Sequence, residues 1–494
     1  MINLRIAVNS RRYKPAYCRN FFAILILRIV ETCVRIPVEV NSMLFKRKIY
    51  DKFLAWKTEC AGKKALLVEG ARRIGKSTVV EEFAKNEYKS YILIDFAKAS
   101  SDVKEYFQLY LNDLDTFFML LSVQYGVQLH ERDSVIIFDE VQLFPKAREA
   151  IKYLVADGRY DYMETGSLIS IKENVKDIVI PSEERQMKMY PLDFEEFCWA
   201  LGEKPMVTYI RTCFEKREPL ERTLHNKAML LFKQYMLVGG MPMSIVAFLE
   251  GRKDFGKADL EKRDILALYR NDIMKIQAQY RSKVLAIFDQ IPGLLSRHEK
   301  RVVFNRIATG SSADQYEETF FWLTDSMVAN ECRRANDPNV GLSLTESDTY
   351  IKCYLGDTGL LLSHAFDENE LLEDEVYKQI LDGKLGLNEG MLYENVIAQM
   401  LTANGHRLFF YTHYSEEKKR NDIEIDFIIS NNSKTKYKMY PIEVKSGTRY
   451  TTDSLLKFRE KYKTRIGGCY IIHPRNLIVN DDILFIPPYM TICL

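Results

Sequence analysis

Ala65-Leu-Leu-Val-Glu-Gly70-Ala-Arg-Arg-Ile-Gly75-Lys76-Ser77-Thr78 is the stretch that decides the fold. A short apolar run ends in glycine, and Val79 to Asn86 then places apolar residues at helical spacing, so the order is strand, loop, helix. Gly70 to Ser77 satisfies G-x-x-x-x-G-K-[ST]. In such a loop the glycines let backbone N–H groups wrap phosphate oxygens, the lysine neutralises the β/γ oxygens, and the hydroxyl reaches Mg²⁺. Gly70, Arg73, Gly75, Lys76, Ser77 and Thr78 are therefore the expected nucleotide-contacting residues. The competing reading is a degenerate loop that holds nothing.

Such a loop needs an acid at the end of a neighbouring buried strand, and Ser134-Val-Ile-Ile-Phe-Asp139-Glu140 supplies two. Asp139 is expected to join Ser77 in the Mg²⁺ shell. Glu140 then stands where a general base orients water, or is a solvated acid at a strand end. The next strand runs from Tyr160 to Ser167, where Thr165 or Ser167 senses the γ-phosphate or caps the following turn. Arg72, Arg73 and Arg185 are the candidates for stabilising transition-state charge, in cis or from a neighbouring copy. With Ser90 to Phe96 as a further strand, residues 43 to about 200 alternate strand and helix as a parallel sheet requires, and the fold class is α/β.

At 494 residues the chain exceeds one ordinary core, and three domains are expected. Lys+Arg 70 against Asp+Glu 68 leaves +2, which neither demands nor excludes nucleic acid, because a basic groove can hide in a balanced total. Nine cysteines without a CxxC pair argue against a disulfide framework and a zinc site, and fit a reducing cytoplasm. Phe21 to Val30 is apolar, but Arg28, Glu31 and Arg35 interrupt it short of the roughly 20 residues a spanning helix needs, so no membrane association is expected. Residues 1–42 lack a period and are read as a non-conforming extension, an upstream translation artefact, whereas a helical pattern starts at Met43.

From 201 to 365 the pattern is helical, with one segment from Ser282 to Ile291 ending before Pro292. Lys300 to Arg306 followed by Gln315 to Asn330 has the spacing of a winged helix, a module that binds DNA or packs between domains. Gly239-Gly240-Met-Pro242 marks a tight turn between helices, with no chemistry of its own.

Residues 366–494 read as helix, three strands, helix, strand. Glu394 falls on the first helix, Asp426 on the second strand, and Glu443 and Lys445 on one face of the third. Carboxylates from three elements, with Asp426 and Glu443 as metal ligands, suit Mg²⁺ that activates water against a phosphodiester, assisted by Lys445. The alternative is a nuclease-like fold kept for binding. His406, His413 and His473 are expected to be satisfied strand histidines.

The motifs Gly70-Ala-Arg-Arg-Ile-Gly-Lys-Ser, Phe138-Asp-Glu, Thr165-Gly-Ser, Tyr190-Pro-Leu-Asp-Phe-Glu-Glu-Phe, Gly239-Gly-Met-Pro, Tyr354-Leu-Gly-Asp-Thr-Gly-Leu, Glu424-Ile-Asp-Phe and Ile442-Glu-Val-Lys-Ser occur in order. From about Met43 to Leu494 the chain thus resembles the bacterial and archaeal ATP-binding proteins that join an AAA-like domain (AAA_14) to DUF4143. The resemblance implies a P-loop ATPase related to the STAND and AAA+ groups, a winged-helix linker, and a C-terminal fold similar to PD-(D/E)xK nucleases. The glycine-arginine usual before Tyr-Pro-Leu appears here as Pro181-Ser-Glu-Glu-Arg185. Two functions follow as expectations. One is an Mg²⁺-dependent ATPase whose nucleotide state controls a DNA-processing nuclease-like domain with Glu140, Glu394, Asp426, Glu443 and Lys445 as catalytic residues. The other is a nucleotide-dependent switch whose C-terminal domain binds DNA or a protein partner without cutting. Self-association is compatible with either.

Overall fold

In the first part of the chain, strand formation follows apolar runs that stop at Gly70, Asp95, Asp139 and Gly166. In the computed structural model, residues 45–60, 62–167, 179–297, 300, 302, 317–339, 341–367, 373–381, 389–431, 438–447 and 449–494 are described. The first elements are α1 (Ile49–Cys60), β1 (Ala65–Glu69), α2 (Lys76–Glu87), β2 (Ser90–Asp95), α3 (Ser101–Leu109), α4 (Leu114–Tyr125), β3 (Ser134–Asp139), α5 (Pro145–Asp157), β4 (Asp161–Gly166) and β5 (Glu184–Lys188). The strands form a parallel sheet in the order β2-β3-β4-β1-β5. Every residue of β1, β3 and β4 is buried, as a parallel sheet covered on both faces requires. Leu66, Val68, Val135 and Ile137 face α1 and α2, while Ala65, Leu67, Ile136 and Phe138 face α3 to α5. Each large apolar side chain buried this way contributes roughly 1.5–3 kcal/mol.

The helical segment contains α6 (Phe194–Ala200), α7 (Lys204–Lys216), α8 (Arg222–Val238), α9 (Pro242–Glu250), α10 (Phe255–Ile273) and α11 (Ala278–Leu295). Helix α11 does not stop before Pro292 but runs through it to Leu295. Proline removes the N–H that would bond the carbonyl of Phe288, and His364 Nε2 lies 2.9 Å from that oxygen instead, so the helix continues without an orphaned acceptor. Of the span of the winged-helix expectation, residues 301 and 303–316 lie outside the described residues.

The remaining elements are α12 (Glu317–Asp325), β6 (Ala329–Ala335), β7 (Glu346–Leu355), α13 (Thr358–Ala365), α14 (Asp374–Leu381), α15 (Glu389–Ala403), β8 (Leu408–Ser415), β9 (Arg420–Asn431), β10 (Lys438–Val444), α16 (Asp453–Lys461), β11 (Cys469–Ile472), β12 (Ile478–Asn480) and β13 (Ile483–Ile486). They build a mixed sheet in the order β12-β13-β11-β10-β9-β8-β6-β7. The hairpin β6–β7 therefore extends this sheet from a point well before residue 366. One apolar cluster runs from Val68 and Phe83 through Val238 and Leu266 to Val396, Phe427 and Ile442, so residues 45–494 share a core. No single described helix is long and apolar enough to cross a membrane.

Candidate functional site

Strand register brings the expected nucleotide residues to one edge of the parallel sheet. Phe138 pairs with Glu164 and Glu69 with Gly166, so Gly70, Asp139 and Thr165 all sit at the C-terminal ends of their strands. The turn from β1 into α2 needs a left-handed residue directly before the helix, and Gly75 supplies it at φ 89°. Lys76 is buried and its ammonium donates to the carbonyls of Gly70 and Ala71, both at 3.0 Å. Burial lowers its pKa to about 8, against the opposing pull of Glu140 and Asp139.

Ser77 Oγ donates to Asp139 Oδ1 at 2.7 Å, and the Thr165 hydroxyl donates to the same carboxylate. Two hard oxygen donors in contact, hydroxyl and carboxylate, are the donor set Mg²⁺ takes when it also holds phosphate and water. Glu140 follows with a left-handed backbone, φ 53°, and its N–H lies 3.4 Å from Thr165 Oγ1. A non-glycine residue held there is strained, a feature that collects at functional sites. Gln142 donates to the Glu140 carboxylate. Arg73 and Thr78 are exposed on the loop and first helical turn.

Two arginine expectations change. Arg185 pairs with Leu66 in the register, toward the opposite end of β1 from the loop, and its guanidinium holds Glu59 at 2.8 Å. It is therefore not positioned to meet a phosphate on this loop. Arg72 is bound to Asp272 of α10 at 2.7 Å, and its carbonyl accepts from Tyr269 at 3.2 Å. Sequence reasoning also missed Arg47, which donates to the carbonyls of Ile74 (3.0 Å) and Tyr190 (2.6 Å) and to Glu196 (3.2 Å). Arg47 thereby clamps the loop to the Tyr190-Pro-Leu-Asp193 segment, whose Asp193 and Glu196 form a capping box on α6. Nothing local marks Arg47, because its partners lie far along the chain.

At the start of β5, whose Glu184 pairs with Ala65 at the other end of β1 from the loop, Arg148 makes a two-pronged bond to Glu184 at 2.9 and 2.8 Å. Glu164 is fully buried nearby, and burial followed by the Glu184 charge raises its pKa well above the ordinary value.

The second site also assembles. Glu394 on α15 accepts from Lys300 and, at 3.2 Å, from Tyr354. Asp426 Oδ2 accepts the Val444 N–H at 2.9 Å, and its Oδ1 lies 3.9 Å from Lys352 Nζ. Glu443 Oε2 holds Lys445 at 2.8 Å. Burial raises the carboxyl pKa values of Glu394 and Glu443. Lys352, Lys300 and Tyr354 were not foreseen; Lys352 lies in a strand whose partner acid is distant in sequence. Three carboxylates meet three lysines, so the cluster is charge-balanced. Among the described residues no group of three or more His, Cys, Asp or Glu is gathered to hold a metal. Mg²⁺ needs only one or two carboxylates, and the buried Glu443 Oε1 has no hydrogen-bond partner among the described residues, so Asp426 and Glu443 still fit it. His413 is a surface partner of Asp422 at 2.7 Å, and His473 is buried against Tyr450 at 2.8 Å, as structural histidines are.

The glycine turn is bonded to α13 and α15. Gly240 N–H donates to Asp357 Oδ2 at 2.5 Å, and Asp357 also accepts from the Leu360 N–H (3.0 Å) and from Gln399 of α15 (3.1 Å). A Cβ on Gly240 would lie 2.1 Å from the Leu192 carbonyl.

Family models match three consecutive parts of the chain: an AAA domain (AAA_14) over residues 62–198, a domain of unknown function (DUF8612) over 229–370, and a domain of unknown function (DUF4143) over 389–489. No curated protein matches. Among solved structures, the Walker-type ATPase paby2304 of Pyrococcus abyssi aligns with TM-score 0.38 and 15% identity over 65% of this chain and 96% of that one. The STAND protein PH0952 of Pyrococcus horikoshii, with a tetratricopeptide repeat sensor, aligns with TM-score 0.26 and 13% identity over 75% of this chain and 50% of that one. The AAA and DUF4143 matches, in that order along one chain, support the reading of a P-loop ATPase that joins the two domains.

Proposed function

We propose that this chain is an Mg²⁺-dependent ATPase acting in the cytoplasm, whose nucleotide state controls a C-terminal nuclease-like domain that processes DNA. The observation that carries the control is a series of neighbouring residues that leads from the nucleotide loop to α15, the helix of Glu394. Arg72 is tied to Asp272 and Tyr269 of α10, and Gly75 packs toward Pro242, where an added Cβ would lie 3.7 Å from Pro242 Cγ. Pro242 opens α9 two residues after Gly240, Gly240 bonds Asp357, and Asp357 bonds Gln399 on α15, the helix that carries Glu394. Nucleotide phosphates would draw Lys76 away from the Gly70 and Ala71 carbonyls, and a rearranged loop bears on these contacts. Mg²⁺, held by Ser77 and Asp139, would neutralise charge on the β/γ phosphates. Glu140 is the base that orients water.

A second reading is a nucleotide switch whose C-terminal domain binds without cutting. The observation favouring it is the lysine partner beside each carboxylate of the second site, which balances the charge of the three acids. Cutting of linear DNA with Mg²⁺, under ATP, ADP and no nucleotide, separates the two. On the first reading Lys76→Ala loses ATP turnover and the nucleotide dependence of cutting, while Lys445→Ala loses cutting and keeps turnover. If the wild type yields no cutting above that of Lys445→Ala, the switch is the better description.

A further inference from the structure

A groove of about 880 Å³ opens on the C-terminal sheet between the β8–β9 hairpin, β7 and the start of α16. Six lysines and arginines line it against three acids, in a chain whose total charge is only +2. The hairpin tip carries Lys418, Lys419 and Arg420, all exposed, and among the described residues none of them has a carboxylate within ion-pair distance. Lys457 stands across the groove, its ammonium 3.3 Å from the Asp422 carbonyl. Tyr414 on one wall is 53% exposed although it projects from a strand, and Tyr350 on the other wall has the Arg334 guanidinium 3.8 Å from its ring centre. The inner end is Lys352, which is buried and lies 3.9 Å from Asp426. Glu424 also lines the groove two residues before Asp426 on β9, and therefore on the same face. The groove thus opens onto the second site.

We propose that this groove binds single-stranded nucleic acid, with phosphates on Lys418, Lys419, Arg420 and Lys457 and bases against Tyr414 and Tyr350, and leads the strand to Asp426. The inference rests on the reading that the C-terminal domain handles nucleic acid, but not on cutting. Exposed cations outside any close ion pair, of which Lys457 and Lys418 feel the Asp422 carboxylate at longer range, suit a run of phosphate charge, and aromatic faces inside a concavity take bases that are already unstacked. A duplex keeps its bases inside and would leave both tyrosines without a role.

The test is fluorescence anisotropy of a labelled oligothymidylate titrated with the full chain in EDTA, over a series of salt concentrations. Four phosphate contacts on a single strand predict a slope of log K against log salt of about −3. The variant Lys418→Ala/Lys419→Ala/Arg420→Ala should bring the slope to about −1 and weaken binding at least roughly tenfold at low salt. Tyr414→Ala should weaken binding by roughly tenfold, with Tyr414→Phe restoring it. ATP turnover of each variant, expected to equal the wild type, reports that the chain is folded. Absence of binding by the wild type, a triple variant with unchanged slope, duplex of equal length bound as tightly as the single strand, or equally effective competition by poly-glutamate would each overturn the inference. Cutting is not read, so a chain that binds through this groove but never cuts sinks the nuclease reading and leaves this one standing.

Discussion

Removing the ammonium of Lys76 should stabilise the nucleotide-free protein near neutral pH while abolishing its response to ATP. Burial lowers the Lys76 pKa from 10.5 to about 8. At about 1.36 kcal/mol per pKa unit, holding the charged form in the folded state costs about 3 kcal/mol. Lys76→Met keeps the length of the side chain and removes that cost. It also removes the bonds to the carbonyls of Gly70 and Ala71, at about 1 kcal/mol each, leaving a net gain of about 1 kcal/mol at pH 7. The sign changes with pH. Between the folded and unfolded values, the unfolded chain binds more protons at this residue, so wild-type stability rises with pH from about 8 toward 10.5. The advantage of Lys76→Met should therefore shrink through this window and cross zero at about pH 9. Urea denaturation of both proteins in EDTA at several pH values reads the difference directly. A repeat with Mg²⁺ and ATP should stabilise the wild type alone. A variant less stable than wild type at pH 7, by an amount that does not vary with pH, would refute the assignment of a buried, charged lysine folded onto its own loop.

Glu140→Gln should lower ATP turnover by about 100-fold or more while ATP still binds, as measured by steady-state hydrolysis and calorimetry; normal turnover would remove Glu140 from the role of base. Gly240→Ala should destabilise by about 3 kcal/mol, because its Cβ meets the Leu192 carbonyl at 2.1 Å, whereas Gly293→Ala, with no atom within 4 Å inside α11, should be neutral or stabilising by up to about 1 kcal/mol. Denaturant midpoints of the two variants decide this. Glu164→Gln should raise stability at neutral pH, since the folded pKa of Glu164 is raised and the wild type loses stability as pH rises above 4.5 toward that raised value. A gain that failed to grow with pH would argue that Glu164 is ionised in the fold.

The order of the motifs determined a good deal by itself. The loop from Gly70 to Ser77 and the acids Asp139 and Glu140 were legible because strand, glycine turn and helix are written in nearest neighbours, and a parallel sheet puts such loops at one edge. Glu394, Asp426, Glu443 and Lys445 were legible for the same reason, since period-2 and period-3.6 spacing says which face a residue takes. Which charge answers which was decided only by tertiary packing. Lys352 reaches Asp426 across 74 positions of chain, read from the pairing itself. Arg47 meets Tyr190 at a separation of 143 residues, and Arg270 of α10 meets Asp367 at a separation of 97. Arg185 had the right residue type but lies toward the other end of its strand, and the strands β6 and β7 joined a sheet whose other members begin at Leu408. The physical reason is that local patterns encode backbone preference and one buried face, whereas the neutralisation of a buried charge depends on what is brought beside it, and a surface arginine or a strand lysine reads alike in sequence whether it ends in water or against a carboxylate.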